Sequence, residues 1–217
     1  MTAEVLPRKQ VMPLARMAPT VRRGYDSDFL SIALPLPTLS RGGELVSPPI
    51  PYRQFTFVMR RRRRLPLFAA VNIDGRRPEQ GGSERHAWIL APRVLIDTWL
   101  GLEEYVINRP VTADRKVSVV SGPVLDDGDP GSLEVVLPLQ YWKLVTMVRQ
   151  NGTLCATGYL LRQKSSHAEY ATYQVPVRSI GEATGLDLSA YISADPLERP
   201  GIAGRPQELG RLDEIRL

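Results

Sequence analysis

The stretch YRQFTFVMRRRRRLPLFAAVNIDG, residues 52–75, sets the class of architecture. From Tyr52 to Met59 aromatic and polar residues alternate, the period-two pattern of a strand with one buried face. Five consecutive arginines, Arg60–Arg64, follow and break the pattern with a charged turn. Leu67 to Ile73 then reads as a second, more fully buried strand, which Asp74-Gly75 closes as a turn. Two strands joined by a short basic turn make a hairpin, so the chain is built around a sheet.

Working outward, residues 1–24 are expected to form a basic, flexible arm. Between Tyr25 and Pro51 the prolines Pro35, Pro37, Pro48, Pro49 and Pro51 rule out helix and imply an extended lead-in. Asp97 suits the N-cap of a helix through Trp99, Leu102, Val106 and Ile107, which Arg109-Pro110 would end. Lys116–Ser121, Leu137–Arg149, Leu154–Leu161 and Thr172–Val177 are rich in β-branched and aromatic residues and read as strands. Arg178–Thr184 reads as a short helix stopped by Gly185. Strands outnumber helices without regular βαβ alternation, which gives an α+β class. The expected organisation is an arm over 1–24, one domain over 25–192 and a tail over 193–217.

Composition narrows the function. The chain has 217 residues, 43% of them hydrophobic, enough for one core. No apolar run approaches the roughly 20 residues of a membrane span. Arg8, Lys9 and Arg16 interrupt the N-terminus before a secretory apolar block can form, so a cytoplasmic location and no membrane partner are expected. A single cysteine, Cys155, excludes an internal disulfide and a cysteine-built zinc cluster, and only His86 and His167 are present for imidazole chemistry. Residues 1–64 hold 12 Lys/Arg against 4 Asp/Glu, a net of +8, while the remainder is net −3. A block such as Arg60–Arg64 fits two roles. Its guanidinium forks match phosphate oxygens, and a charged turn also protects a sheet edge from aggregation.

Other motifs point to structure. Asp126-Asp127-Gly128-Asp129 lacks calcium-loop spacing and reads as an acidic turn. Asn151-Gly152-Thr153 reads as a hairpin turn between two strands. Ser121-Gly122-Pro123 lacks the frame of a nucleophile elbow. Gly42-Gly43 and Gly81-Gly82 open no helix, so they are loops and not phosphate cradles. Cys155 lies in a strand pattern and reads as packing.

Eight segments resemble, in order, those of the DNA/RNA non-specific endonuclease family, the ββα-metal nucleases. They are GYDSDFL (Gly24–Leu30), RRLPLFAAVNIDG (Arg63–Gly75), Trp88 with Pro92-Arg93, WLGLEEYV (Trp99–Val106), VSVVSGPVLDDGDP (Val117–Pro130), LPLQYWKLV (Leu137–Val145), LCATGYLLRQ (Leu154–Gln163) and YQVPVRSIGEATGLDL (Tyr173–Leu188). The resemblance spans roughly 22–192. It implies a mixed or antiparallel sheet core with few helices, Mg²⁺ as cofactor and sequence-independent hydrolysis of DNA or RNA phosphodiesters. In such enzymes a histidine of a D-R-G-H motif activates water while the metal neutralises phosphate charge.

This sequence departs from that pattern at the chemistry. No D-R-G-H occurs, and Val94 is followed almost at once by Leu95-Ile96-Asp97-Thr98-Trp99. Leu95 occupies the position of the family's ligand Asn, and Ala91 replaces an aspartate. The catalytic hairpin is expected to be deleted near 94–95. What the resemblance leaves is Glu103 as a metal-site residue, Arg85 near the place of a phosphate-stabilising arginine, and His86 as the nearby imidazole, in surroundings unlike those of the catalytic histidine. His167 reads as a loop residue. The expected function is therefore nucleic-acid binding through Arg60, Arg61, Arg62, Arg63 and Arg64 with hydrolysis and Mg²⁺ binding impaired. An alternative is a protein-interaction or inhibitory module, or a dimerisation partner of an active nuclease. A third is an active parent of which this chain is an incomplete copy. Loss of a covering hairpin would expose apolar surface, so low stability or homodimerisation is expected.

Overall fold

The structure, a computed structural model, describes residues 23–40, 44–52, 55–61, 65–76, 115–125, 131–132, 135–136, 138–163, 170–198 and 206–208. Its centre is an eight-stranded sheet of β2 (Ile50–Pro51), β3 (Phe55–Arg60), β4 (Leu65–Asp74), β5 (Lys116–Val124), β8 (Gln140–Val148), β9 (Leu154–Gln163), β10 (Tyr170–Val175) and β12 (Gln207–Glu208). These strands lie side by side in chain order and every described ladder is antiparallel. Two short pairs stand apart, β1 (Thr38–Leu39) with β11 (Leu186–Asp187), and β6 (Gly131–Ser132) with β7 (Val135–Val136). Among the described residues the helices are α1 (Val177–Thr184), α2 (Ser189–Ile192) and a 3₁₀ turn over Pro196–Glu198. The predominance of strands fits the expected α+β class. Among the described residues no helix is long and apolar enough to cross a membrane.

The hairpin of residues 52–75 forms as its alternation requires. In β3, Thr56 and Val58 are buried on the core side, whereas Phe55 and Phe57 are half-buried on the other. Strands β5 and β8 are buried along nearly their whole length, so both faces of the central sheet are covered. Between β8 and β9 the chain turns at Asn151-Gly152 as expected. Gly152 adopts φ 78°, the Asn151 Oδ1 accepts from the Thr153 N–H and hydroxyl, and the Arg149 N–H donates to the Thr153 carbonyl.

One face of the sheet carries the main core. Phe68, Trp142 and Leu144 meet Leu30 and Leu34 of the lead-in, Val177 and Ile180 of α1, and Tyr191 of α2. Gly122 makes this possible: a Cβ there would stand 2.5 Å from the Leu67 carbonyl oxygen and 3.2 Å from the Trp142 Nε1. Gly158 plays the same part under α1, where a Cβ would stand 2.8 Å from both the Ile180 Cδ1 and the Val175 carbonyl oxygen.

The lead-in is pinned by side chains. The Tyr25 N–H donates to the Thr56 Oγ1, the Asp26 N–H to the Asn72 Oδ1, and Asn72 in turn to the Ser118 hydroxyl. The Tyr25 and Tyr191 hydroxyls donate to the carbonyls of Leu34 and Pro35, and burial pushes both phenols up. Helix α1 begins after Pro176 without a side-chain cap of its own. Asp195 serves instead from 18 residues downstream: its Oδ2 accepts from the Val177 N–H at 2.7 Å and its Oδ1 from the Leu197 N–H at 2.8 Å. Gly185, with φ 71°, ends the helix by donating to the Gly181 carbonyl. Asp195 and Leu197 are themselves buried.

Candidate nucleic-acid interface

The basic turn joins β3 to β4, and of its five arginines Arg60 and Arg61 fall among the described residues. Arg60 is committed within the fold. Its Nη1 lies 2.8 Å from the Glu44 Oε1 and 2.6 Å from the Oε2, and its side chain is only 12% exposed. The backbone around it is stitched to the preceding segment by Ser47 N–H to Met59 carbonyl and Arg61 N–H to Leu45 carbonyl. Arg61 is exposed. The turn therefore offers Arg61 to solvent and holds Arg60 against a carboxylate; Arg62, Arg63 and Arg64 lie outside the described residues.

The opposite face of the sheet carries polar residues at one level. Ser121 on β5 stands directly opposite Lys143 on β8, Lys143 opposite Tyr159 on β9, and Tyr159 opposite Gln174 on β10. All four are at most 2% exposed. Directly opposite residues share a face, and at ~4.8 Å between strands the row spans ~14 Å. A desolvated ammonium and amide persist only when engaged, and Lys143, Tyr159 and Gln174 all are. The sequence signal was present but unread: each residue is a polar position inside an apolar run, in SGPV, YWKLV, GYLL and YQVPV. What no single run discloses is the register that lines them up.

The remaining chemical residues inferred from sequence, Arg85, His86 and Glu103, lie outside the described residues, as do the helix expected over 97–107, the acidic turn Asp126–Asp129, the glycine pairs 42–43 and 81–82, and His167. Among the described residues no group of three or more His, Cys, Asp or Glu stands together to hold a cation. Of the described carboxylates, Glu44 pairs with Arg60, Asp195 accepts from backbone amides and Glu198 pairs with Arg178.

Residues 96–195 match the family model described as DNA/RNA non-specific endonuclease, a span that includes β5 through α2. A bacterial relative, the uncharacterized protein y4fB of Sinorhizobium fredii (strain NBRC 101917 / NGR234), is 23% identical, over 82% of this chain and 41% of its own length. The chain thus spans about two fifths of that relative. The alignment runs over 270 residues, more than the 217 of this chain, so within the matched span the relative holds residues with no counterpart here. A solved EndoG/EndoGI complex, described with the mechanism of EndoG inhibition, aligns at a TM-score of 0.43 and 16% identity, covering 64% of this chain and 84% of that one.

Proposed function

We propose that this chain, assigned to the DNA/RNA non-specific endonuclease family by the match over residues 96–195, binds nucleic acid without regard to sequence and hydrolyses it weakly or not at all. The observation that carries the reading is the run Pro92-Arg93-Val94-Leu95-Ile96-Asp97-Thr98-Trp99, which joins two family segments with no D-R-G-H between them. The y4fB alignment, longer than this chain, supports an absence of several dozen residues relative to that protein. Hydrolysis of a phosphodiester needs a base to deprotonate water and a cation to neutralise phosphate. The family is metal-dependent, and Leu95 stands where its ligand Asn is expected.

Binding survives that loss because it draws on different residues. An exposed arginine contacts phosphate through paired N–H groups whatever the base sequence. Arg61, with Arg62–Arg64 after it, supplies that charge, while Arg60 shapes the turn through Glu44. The test is plasmid incubated with purified protein, with Mg²⁺ or with EDTA. Slowed migration of largely intact plasmid supports the reading, and rapid, complete nicking that EDTA abolishes contradicts it. Absence of any salt-sensitive binding would favour a protein-interaction module instead.

A further inference from the structure

The strand that ends in the arginine turn begins in a cluster of rings. Tyr52 and Phe55 stack, with centroids 4.8 Å apart and planes 15° from parallel. Phe57 meets both edge-on, at 5.0 Å from Phe55 and 5.7 Å from Tyr52. Tyr52 is 39% exposed. Its backbone is fixed from both sides, since its N–H donates to the Phe55 carbonyl and its carbonyl accepts from the Gly24 N–H, each at 2.8 Å. The rings sit where the sheet thins to the two-residue edge strand β2, on the face opposite the main core. Phe57 shares its register level with Ala69, Ser121 and Lys143.

Phe55 and Arg60 open and close β3, so the ring cluster and the arginine turn are separated by roughly 17 Å of extended chain. The first 64 residues carry a net charge of +8. An occupant that pairs flat apolar faces with regularly spaced negative charge satisfies both features. We infer that Tyr52, backed by Phe55 and Phe57, is a stacking platform for unpaired bases, so that this protein takes single-stranded nucleic acid in preference to duplex. The inference rests on the nucleic-acid-binding reading above and adds to it the state of the polymer. A duplex keeps its base faces stacked on each other and presents only phosphates to the arginines, whereas a single strand presents both.

The experiment compares fluorescence anisotropy of one labelled oligonucleotide, single-stranded and annealed to its complement, with the wild type, Tyr52→Leu and Tyr52→Trp. Leucine keeps the apolar contact with Phe55 but removes the ring face. Tyr52→Leu is expected to weaken single-strand binding about tenfold, the loss of one base–aromatic stack, with duplex binding and both salt slopes unchanged; Tyr52→Trp is expected to restore it. A merely structural role would move duplex binding equally. Equal affinity of the wild type for both forms, an equal loss of both in Tyr52→Leu, or oligomerisation through Tyr52 unaffected by oligonucleotide overturns the platform and leaves sequence-independent binding standing. Binding to neither form overturns both.

Discussion

The guanidinium of Arg60 and the carboxylate of Glu44, 16 positions apart in the chain, meet at 2.6 Å beneath the basic turn. The pair withdraws one of five consecutive arginines from solvent and ties the turn to the lead-in. Exposed and engaged arginines then make distinct contributions to polyanion binding, and salt dependence separates them.

Each phosphate contact releases counterion and adds about 0.9 to the slope of log affinity against log salt. Arg61→Ala is expected to lower that slope by about one, and Glu44→Gln, which releases the Arg60 guanidinium, to raise it by about one. Titrations between about 50 mM and about 200 mM salt measure both. An unchanged slope in Arg61→Ala places the phosphate contacts elsewhere.

Gly158 lets α1 sit directly on β9. Gly158→Ala drives a methyl against the Val175 carbonyl oxygen, a backbone atom at the end of β10 that yields only if the strand end and the helix after it move. The expected loss is about 1–3 kcal/mol of unfolding free energy in urea. A neutral result would mean that α1 shifts freely on the sheet.

Asp195 caps a helix that it does not belong to. Asp195→Ala strips the acceptors from the Val177 and Leu197 amides and is expected to cost about 2–4 kcal/mol, from two buried donors left unpaired. Burial pushes the Asp195 carboxyl up, against the lowering effect of the two backbone amides. The folded state therefore holds this proton more tightly than the unfolded chain. Stability contributed at this site falls as pH rises from the ordinary carboxylate value through the raised one and is level above it. Asp195→Asn removes that slope, so the stability of the wild type relative to Asp195→Asn is expected to decline as pH rises above the ordinary carboxylate value of about 4. A relative stability that rises over this range would show the amides outweighing burial.

Lys143 is fully buried, and its charge has no water to fall back on. Lys143→Met is expected to cost about 3 kcal/mol or more, because it takes a buried charged group away from the interactions it makes. Ser121→Ala, at the same level one strand away, removes only a neutral hydroxyl and is expected to cost about 1 kcal/mol. Equal costs in urea titrations would argue against an engaged charge at Lys143.

Local patterning made the hairpin legible: alternation at Phe55–Val58, the apolar run at Leu67–Ile73 and the Asn151-Gly152 turn all lie within a few residues. Helix α1 was legible at both ends to within a residue, but the acceptor at its start was not, since it comes from Asp195 and not from a neighbouring residue. Strand ends in β5 and β8 blur for a related reason: with both faces buried, the alternation that marks a strand's limits disappears. The arginine run announced a charged turn, yet the neutralisation of Arg60 depends on the lead-in folding back to place Glu44. The row Ser121–Lys143–Tyr159–Gln174 is a property of register, which is written in the pairing of four strands and in none of them alone.

The most direct test of the central claim is supercoiled plasmid incubated with the purified chain, Mg²⁺ and, in parallel, EDTA, scored for both retardation and nicking. Plasmid that is retarded at low salt, released at high salt and intact in both reactions is the expected result. Nicking that requires Mg²⁺, disappears in EDTA and persists after His86→Ala would contradict it, by showing a working hydrolytic centre without the missing histidine.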